Sequence, residues 1–390
     1  MSIYVGCGEV SGDLHAAALI EALRPLVGEH DEIWGMLGPR GVAAGGNAVW
    51  NYEELKLMGI VEVIPAIPRL LRLRESIARE IMARRPEAVV VVDSPDFHIS
   101  LVKRLRSLGY RGAAVFLVTP TVWAWRGGRT KWLKSLFDLC LPLFSFEHEF
   151  LLGRGVNSKW KAHPLVDGMA GFTPPPSLVK QYSDCSRSII AMMPGSRQYD
   201  VRNHIDALVG AARLLAEDGF TPVFSIAPGL SEPLKALIRD RAAAFDVWEG
   251  EGRALMAVSS AVVGVSGTVA VEAMLLRRFM VVIYKVHGLS WLIARALVRV
   301  PFISMPNYLA GRQVFPELLN ERATPDEIAG AVSAYLGDPS QRAEADSLLD
   351  AARDAMGGLG ASKFWASEIL NVIKLQQQEA HGSHEGVAAN

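Results

Sequence analysis

Two similar α/β domains, each a parallel sheet with helices on both faces, are what the sequence predicts. Three observations carry this reading. Short β-branched runs alternate with amphipathic helical segments in the first half, as in βαβ units. The cluster Gly171-Phe172-Thr173-Pro174-Pro175-Pro176-Ser177 then breaks the pattern, because proline lacks the donor N–H and fixes φ. Strand, small-residue turn and helix begin again at Ser188. The expected layout is two Rossmann-like domains facing each other across a cleft.

Taken in order, residues 3–6, 88–93 and 113–118 are continuous apolar runs of strand length, as expected of strands buried on both faces. Residues 14–26 and 70–85 are amphipathic helices. After the break, 188–193 is a strand, Pro194-Gly195-Ser196-Arg197 a turn and 201–216 a helix. That helix carries Val201, Ile205, Leu208, Val209, Ala212 and Leu215 on one stripe. Residues 223–226 and 261–265 are further strands. The boundaries expected are a first domain over 1–170, a linker over 171–187 and a second domain over 188–355. A helix over 356–375 can return to the first domain, and a polar tail over 376–390 is expected to be disordered.

Composition excludes several classes. Half the 390 residues are apolar and 21% are charged, which is enough for sizeable cores and too apolar for general disorder. With 40 Lys+Arg against 41 Asp+Glu, a globally basic nucleic-acid binder is disfavoured. Cys7, Cys140 and Cys185 are scattered, so they make neither a disulfide framework nor a zinc cluster, and they fit a reducing cytosol. The start, MSIYVGCGEVSGD, is a strand entering a glycine turn and not a signal peptide. The longest uncharged stretch, 254–271, contains Ser259, Ser260, Gly264, Ser266, Gly267 and Thr268. It reads as strand, turn and helix and not as a membrane span.

Ligands of open α/β sheets bind beyond the carboxyl ends of the strands, so the residues after each strand are the candidates. Gly8-Glu9-Val10-Ser11-Gly12-Asp13 opens a helix, with Ser11 or Asp13 able to act as an N-cap. It is not a G-x-G-x-x-G fingerprint. Asp93 ends the run Ala88-Val89-Val90-Val91-Val92. A carboxylate at the rim of an apolar sheet is partly desolvated, which raises its pKa toward that of a general base. His98 lies close enough in sequence to compete for that role. Trp123, Trp125, Arg126 and Arg129 follow the next strand, and indoles stack on sugars or cover apolar chains. In the second half, Gly195, Ser196 and Arg197 form a turn that presents N–H groups and a guanidinium to an anion. Ser266, Gly267 and Thr268 form another, with Glu272 one turn into its helix, where a half-buried carboxylate needs a partner such as ribose hydroxyls. Two anion-binding turns suit a diphosphate, and a carboxylate base elsewhere suits activation of a hydroxyl. No Asp-x-Asp pair occurs in the chain, which disfavours a metal-clamped diphosphate; no metal and no cofactor are expected. Arg197 and the helix starts would then stabilise the leaving group.

One surface has membrane character. Residues 65–85 carry Leu70, Leu71, Leu73, Ile77 and Ile81 together with Arg69, Arg72, Arg74, Arg79, Arg84 and Arg85. Met58 lies in an apolar stretch upstream, and residues 291–299 repeat the pattern. Arginine-rich amphipathic segments lie in anionic headgroup layers; the alternative is a core helix with a solvated face. The same apolar helices would also suit a homodimer face.

The motifs GEVSGD (8–13), LGPRG (37–41), EELKLMGIVEV (53–63), VDSPDF (92–97), TPTVWAWR (119–126), HPLVD (163–167), MPGSR (193–197), SGTVAVE (266–272) and MPNYLAGR (305–312) run in order over most of the chain. In them the chain resembles the lipid-A-disaccharide synthase family, inverting glycosyltransferases of the two-domain GT-B fold. The resemblance implies transfer of acylated glucosamine from UDP to an acylated glucosamine 1-phosphate. It further implies a cytoplasmic enzyme peripheral on the inner face of the cytoplasmic membrane, with no nucleic-acid partner. By matching position it makes Asp93 the catalytic carboxylate, with Glu9 and Arg197 beside the chemistry. Gly195, Ser196, Arg197, Ser266, Gly267, Thr268, Glu272 and Asn307 would hold UDP. Ser11, Asp13, Met58, Trp123, Trp125, Arg126, Arg69 and Arg72 would face the acceptor or the membrane. His98, Ala162, Ser145 and Asp200 depart from the family pattern. Two rival readings are another GT-B UDP-sugar enzyme, such as an epimerase, and a non-catalytic nucleotide-sugar-binding protein.

Overall fold

The computed structural model describes residues 1–55, 63–124, 127–183, 187–285 and 301–385. These divide into two compact units, Met1–Asp167 with Gly357–Asn390, and Gly168–Met356.

The first unit runs β1 (Ser2–Cys7), α1 (Val10–Leu23), β2 (Glu32–Leu37), α2 (Pro39–Ala43), β3 (Asn47–Asn51), α3 (Val63–Arg84), β4 (Ala88–Val92) and α4 (Pro95–Ser107). It continues with β5 (Ala113–Leu117), α5 (Thr130–Leu136), β6 (Leu139–Leu141) and α6 (Ser145–Leu152). All six strands are parallel in the order β3-β2-β1-β4-β5-β6. The run Ala88–Val92 forms a central strand because every residue of it is buried, and β-branched side chains fill both faces of a covered parallel sheet. Ala88, Val90 and Val92 join one core with Leu19, Ile20 and Leu23 of α1. Val89 and Val91 join the other with Ile77 and Ile81 of α3 and Leu101 of α4.

The second unit runs α8 (Pro176–Ser183) after a short α7 (Pro164–Met169), then β7 (Ile189–Met193), α9 (Gln198–Glu217), β8 (Thr221–Ile226), α10 (Glu232–Arg241), β9 (Asp246–Glu249) and α11 (Gly252–Val258). There follow β10 (Ala261–Val265), α12 (Thr268–Leu275), β11 (Phe279–Tyr284), α13 (Met305–Ala310), β12 (Glu317–Leu319), α14 (Pro325–Gly337) and α15 (Pro339–Asp354). Its sheet order is β12-β11-β10-β7-β8-β9. Counted from its own first strand, this is the order of the first unit. Each sheet therefore has its switch point between its first and fourth strands, where the crossovers diverge and leave a crevice. The expected strand, turn and helix over 254–271 is β10, the turn at Ser266-Gly267 and α12, preceded by the end of α11, which takes in residues 254–258. Among the described residues no helix is long and apolar enough to cross a membrane.

Two boundaries differ from the sequence reading. The proline cluster does not leave a linker through 187, because Pro176 starts α8 and proline is tolerated in a first turn. Leu178 and Tyr182 of that helix are buried. The last helix, α16, runs Ala361–Glu385 and does not stop at 375. Once nucleated, a helix propagates cheaply through Gln, Glu and Ala. Trp365, Ile369 and Ile373 seat α16 in the core that holds α1.

The chain leaves the first unit after Asp167 and returns at Gly357. Asp167 accepts hydrogen bonds from the N–H of Gly360 (2.6 Å) and Ala361 (2.8 Å), and Ala162 forms an antiparallel bridge with Gly357. The carboxylate thus caps α16 from a distant part of the chain. Asp167→Ala is expected to lower the unfolding free energy by about 1–2 kcal/mol, read as a shift of the urea midpoint at unchanged slope.

Candidate active site

In the first unit β1 and β4 pair as far as Cys7 against Val92. Gly8 and Asp93 are therefore the first residues beyond the sheet at its switch point. The Gly8 N–H donates to Asp93 Oδ1 at 3.0 Å. Asp93 and Ser94 both have left-handed backbones, with φ of 55° and 40°, and Val118 beyond β5 has φ of 57°. Such residues cost about 1–3 kcal/mol each and persist where the surroundings enforce them. Here the elbow turns Asp93 back over α1. A Cβ on Gly12 would lie 1.9 Å from Asp93 Oδ2, so only glycine at this position admits the carboxylate. Oδ2 itself is buried and has no hydrogen-bond partner among the described residues. Burial pushes the Asp93 carboxyl up to about 7. Hydrogen bonds from Ser94, Gly8 and Glu9 oppose the rise, and the Glu9 charge adds to it.

The other residues of the first motif divide by role. Glu9 occupies the N-cap position of α1 in extended conformation without a side-chain cap bond, and is exposed, as is Ser11. Asp13 is 2% exposed. It accepts from the N–H of Gly38 (2.7 Å), Gly41 (3.1 Å) and Arg40 (2.9 Å). Its carboxylate therefore fastens the start of α2, and the motif LGPRG is the partner of GEVSGD.

Trp123 is half-buried beyond β5, and its indole N–H donates to Glu147 Oε1 at 2.9 Å. Glu147 also accepts from the N–H of Leu143 (3.2 Å) and Phe144 (3.3 Å). Burial pushes its carboxyl up to about 7 against these donors. Phe146 meets Trp123 edge-on at 4.9 Å. Sequence reasoning overlooked Glu147, although a Glu three residues past a helix start is a capping signal. On α3, Leu73, Ile77 and Ile81 are core, which is the ordinary reading of that helix. Arg74 and Arg84 pair with Glu75 and with Glu80 and Glu32. Ile67 and Leu71 are each 44% exposed beside exposed Arg69 and Arg72. Met58, Trp125, Arg126 and residues 291–299 lie outside the described residues.

In the second unit β7 and β10 pair as far as Met193 against Gly264. Pro194-Gly195-Ser196-Arg197 and Ser266-Gly267-Thr268 thus leave one edge of the sheet on neighbouring strands, again at the switch point. Gly195 has φ of 108°, and a Cβ there would meet Asp200 at 2.5 Å. Helices α9 and α12 start without a side-chain cap, whereas α14 and α15 are capped by Thr324 and Asp338. The first N–H groups of α9 and α12 remain available to an anion, and Arg197 at the head of α9 is exposed. Glu272 is half-buried and pushed up to about 7 by burial, lowered by Arg253 and raised by Glu251. Arg253, which the sequence did not single out, also donates to Gly168 O at 3.1 Å and lies over the Phe172 ring at 4.7 Å.

Asn307 is fully buried. Its Nδ2 donates to Phe315 O (2.8 Å) and Glu317 Oε1 (2.9 Å), and its Oδ1 accepts from the N–H of Val314 (2.8 Å) and Phe315 (2.7 Å). The amide has all four bonds within the chain and holds the loop before β12.

Two parallel-sheet units of the same strand order, each with its switch point between its first and fourth strands, have the GT-B fold. Solved structures share the fold. A UDP co-structure of MnaA from S. aureus has a TM-score of 0.63 at 12% identity, covering 97% of this chain and 96% of that one. CalG4, the calicheamicin glycosyltransferase, has a TM-score of 0.61 at 14% identity, covering 96% and 98%. The family model described as lipid-A-disaccharide synthetase matches residues 3–362. The lipid-A-disaccharide synthase of Anaeromyxobacter dehalogenans is 36% identical over 95% of this chain and 97% of its own length. The chain belongs to the lipid-A-disaccharide synthetase family.

The close approach at Gly12 gives a direct test of the Asp93 geometry. Gly12→Ala is expected to displace the carboxylate and lower turnover by about 10²-fold, with the melting curve showing a folded protein. Turnover within twofold of the parent would show that the carboxylate position is not critical.

Proposed function

We propose that the chain transfers 2,3-diacylglucosamine from UDP to the 6-hydroxyl of 2,3-diacylglucosamine 1-phosphate. UDP and the β(1→6) lipid A disaccharide 1-phosphate are the products. The observation that carries this is Asp93 in a chain of this family. It is a half-buried carboxylate at the switch point, one oxygen of which is buried with no partner among the described residues, and desolvation raises its proton affinity to about 7. A base of that strength accepts a proton from a hydroxyl as the hydroxyl attacks.

The reaction is a single displacement. Asp93 takes the acceptor proton, the 6-oxygen bonds to the anomeric carbon, and the bond to the UDP oxygen breaks with inversion. Negative charge grows on the departing diphosphate. The N–H groups at the starts of α9 and α12 and the Arg197 guanidinium are suited to it. Glu272 is suited to the ribose hydroxyls, Trp123 to the acceptor sugar, and Glu9 to the rim beside Asp93. The exposed Ile67, Leu71, Arg69 and Arg72 of α3 support peripheral binding to an anionic membrane surface on the cytoplasmic side, where acylated substrates reside.

Incubation with both acylated sugars and mass detection of disaccharide and UDP tests the reading; epimerised or unchanged donor would overturn it. Asp93→Asn is expected to cut turnover by about 10²–10⁴-fold with UDP affinity retained. Burial opposes ionisation, so Asp93 is protonated more readily in the fold than in the unfolded chain. Activity of the parent enzyme should therefore fall as pH drops through about 7. Fold stability contributed by the protonated form is lost as pH rises through the same value, so Asp93→Asn should melt no lower than the parent at pH 8. Sedimentation with anionic vesicles should fall steeply with salt, and Arg69→Glu with Arg72→Glu should abolish it.

A further inference from the structure

We infer that His98 is a positioning residue for Asp93, which rests on the reading of Asp93 as the base. The carbonyl of Asp93 is turned by its left-handed backbone, and His98 Nδ1 lies 2.9 Å from it. A carbonyl only accepts, so the proton is on Nδ1 and the lone pair is on Nε2. The same residue's N–H donates to Ser94 O at 3.1 Å. His98 therefore holds both strained residues of the elbow, one through its side chain and one through its backbone.

The ring is fully buried, with Phe97 meeting it at 5.6 Å between centroids. Burial also holds its pKa down near 4, so the ring is neutral and the tautomer stays fixed. His98 is unsuited to take the substrate proton itself. Its Nδ1 proton is engaged, and its Nε2 is buried with no partner among the described residues. What it controls is the peptide plane of Asp93, and so the direction of the Cα–Cβ bond. The few donors that reach the carboxylate, from Gly8, Ser94 and Glu9, leave Oδ2 without a partner among the described residues. Release of the Asp93 carbonyl would let the elbow relax and swing the carboxylate away from its place over Gly12.

Three substitutions separate the atoms. In His98→Asn the amide Nδ2 takes the place of Nδ1. In His98→Gln the amide nitrogen reaches the place of Nε2, and His98→Leu has no donor. Disaccharide formation, UDP affinity and melting temperature are measured for each, beside Asp93→Asn. The Leu and Gln variants are expected to lose about 10–10²-fold in kcat with KM for the donor and UDP affinity unchanged. His98→Asn is expected to restore kcat to within about threefold of the parent, because its amide replaces the donor. If the Leu variant does not fold, the Asn and Gln pair decides. Full activity of the Leu variant, or equal activity of the Asn and Gln variants, would overturn the inference while leaving the base reading intact. Turnover by Asp93→Asn would overturn the base reading and this inference with it.

Discussion

A general base must be buried enough to bind a proton near neutrality and exposed enough to reach a hydroxyl, and the proposed role of Asp93 rests on how its surroundings meet that constraint. Asp93 sits where an apolar strand ends. Two consecutive left-handed residues turn it, a glycine leaves room for it, and donors that include the Gly8 N–H hold one side of it. Its raised proton affinity follows from desolvation that these few bonds only partly offset. Extra donors would lower the pKa, and more water would do the same. Oδ2, without a partner among the described residues, leaves that rise largely uncompensated.

The second unit solves the opposite electrostatic problem with the same topology. Its switch point presents positive helix ends and an arginine where the first presents a carboxylate. Helices α14 and α15 carry side-chain caps, whereas α9 and α12 at the switch point have none, which suits an anion in the proposed reading. In the proposed reading a single strand order provides a place for a base in one unit and for an anion in the other, and the difference lies in the few residues after each strand.

Several polar residues in the family motifs serve the loops around this chemistry. Asp13 spends its carboxylate on three N–H groups of the neighbouring turn. Asn307 spends its amide on the segment before β12, with Glu317 accepting from it and from Ser304. Asp167 caps a helix that begins almost two hundred residues later in the chain. Buried groups of this kind are costly to leave unpaired, which explains why they sit in motifs beside residues of quite different purpose.

Much of the fold was legible because its signals are local. Continuous apolar runs marked the central strands β1, β4, β5, β7 and β10. Glycine and proline marked the turns that carry Asp93, Arg197 and Thr268. The short or half-exposed strands β3, β6, β9 and β12 were not legible. They carry no run long enough to distinguish from a loop, and a partner strand is what defines them. By itself the sequence determined which residue types follow each strand, and so the kind of chemistry available. Only the tertiary structure decided that Gly12 abuts Asp93, that His98 holds its carbonyl, and that Asp13 and Asn307 are consumed within the chain. Those outcomes depend on register and close approach between segments far apart in sequence, which no local pattern encodes.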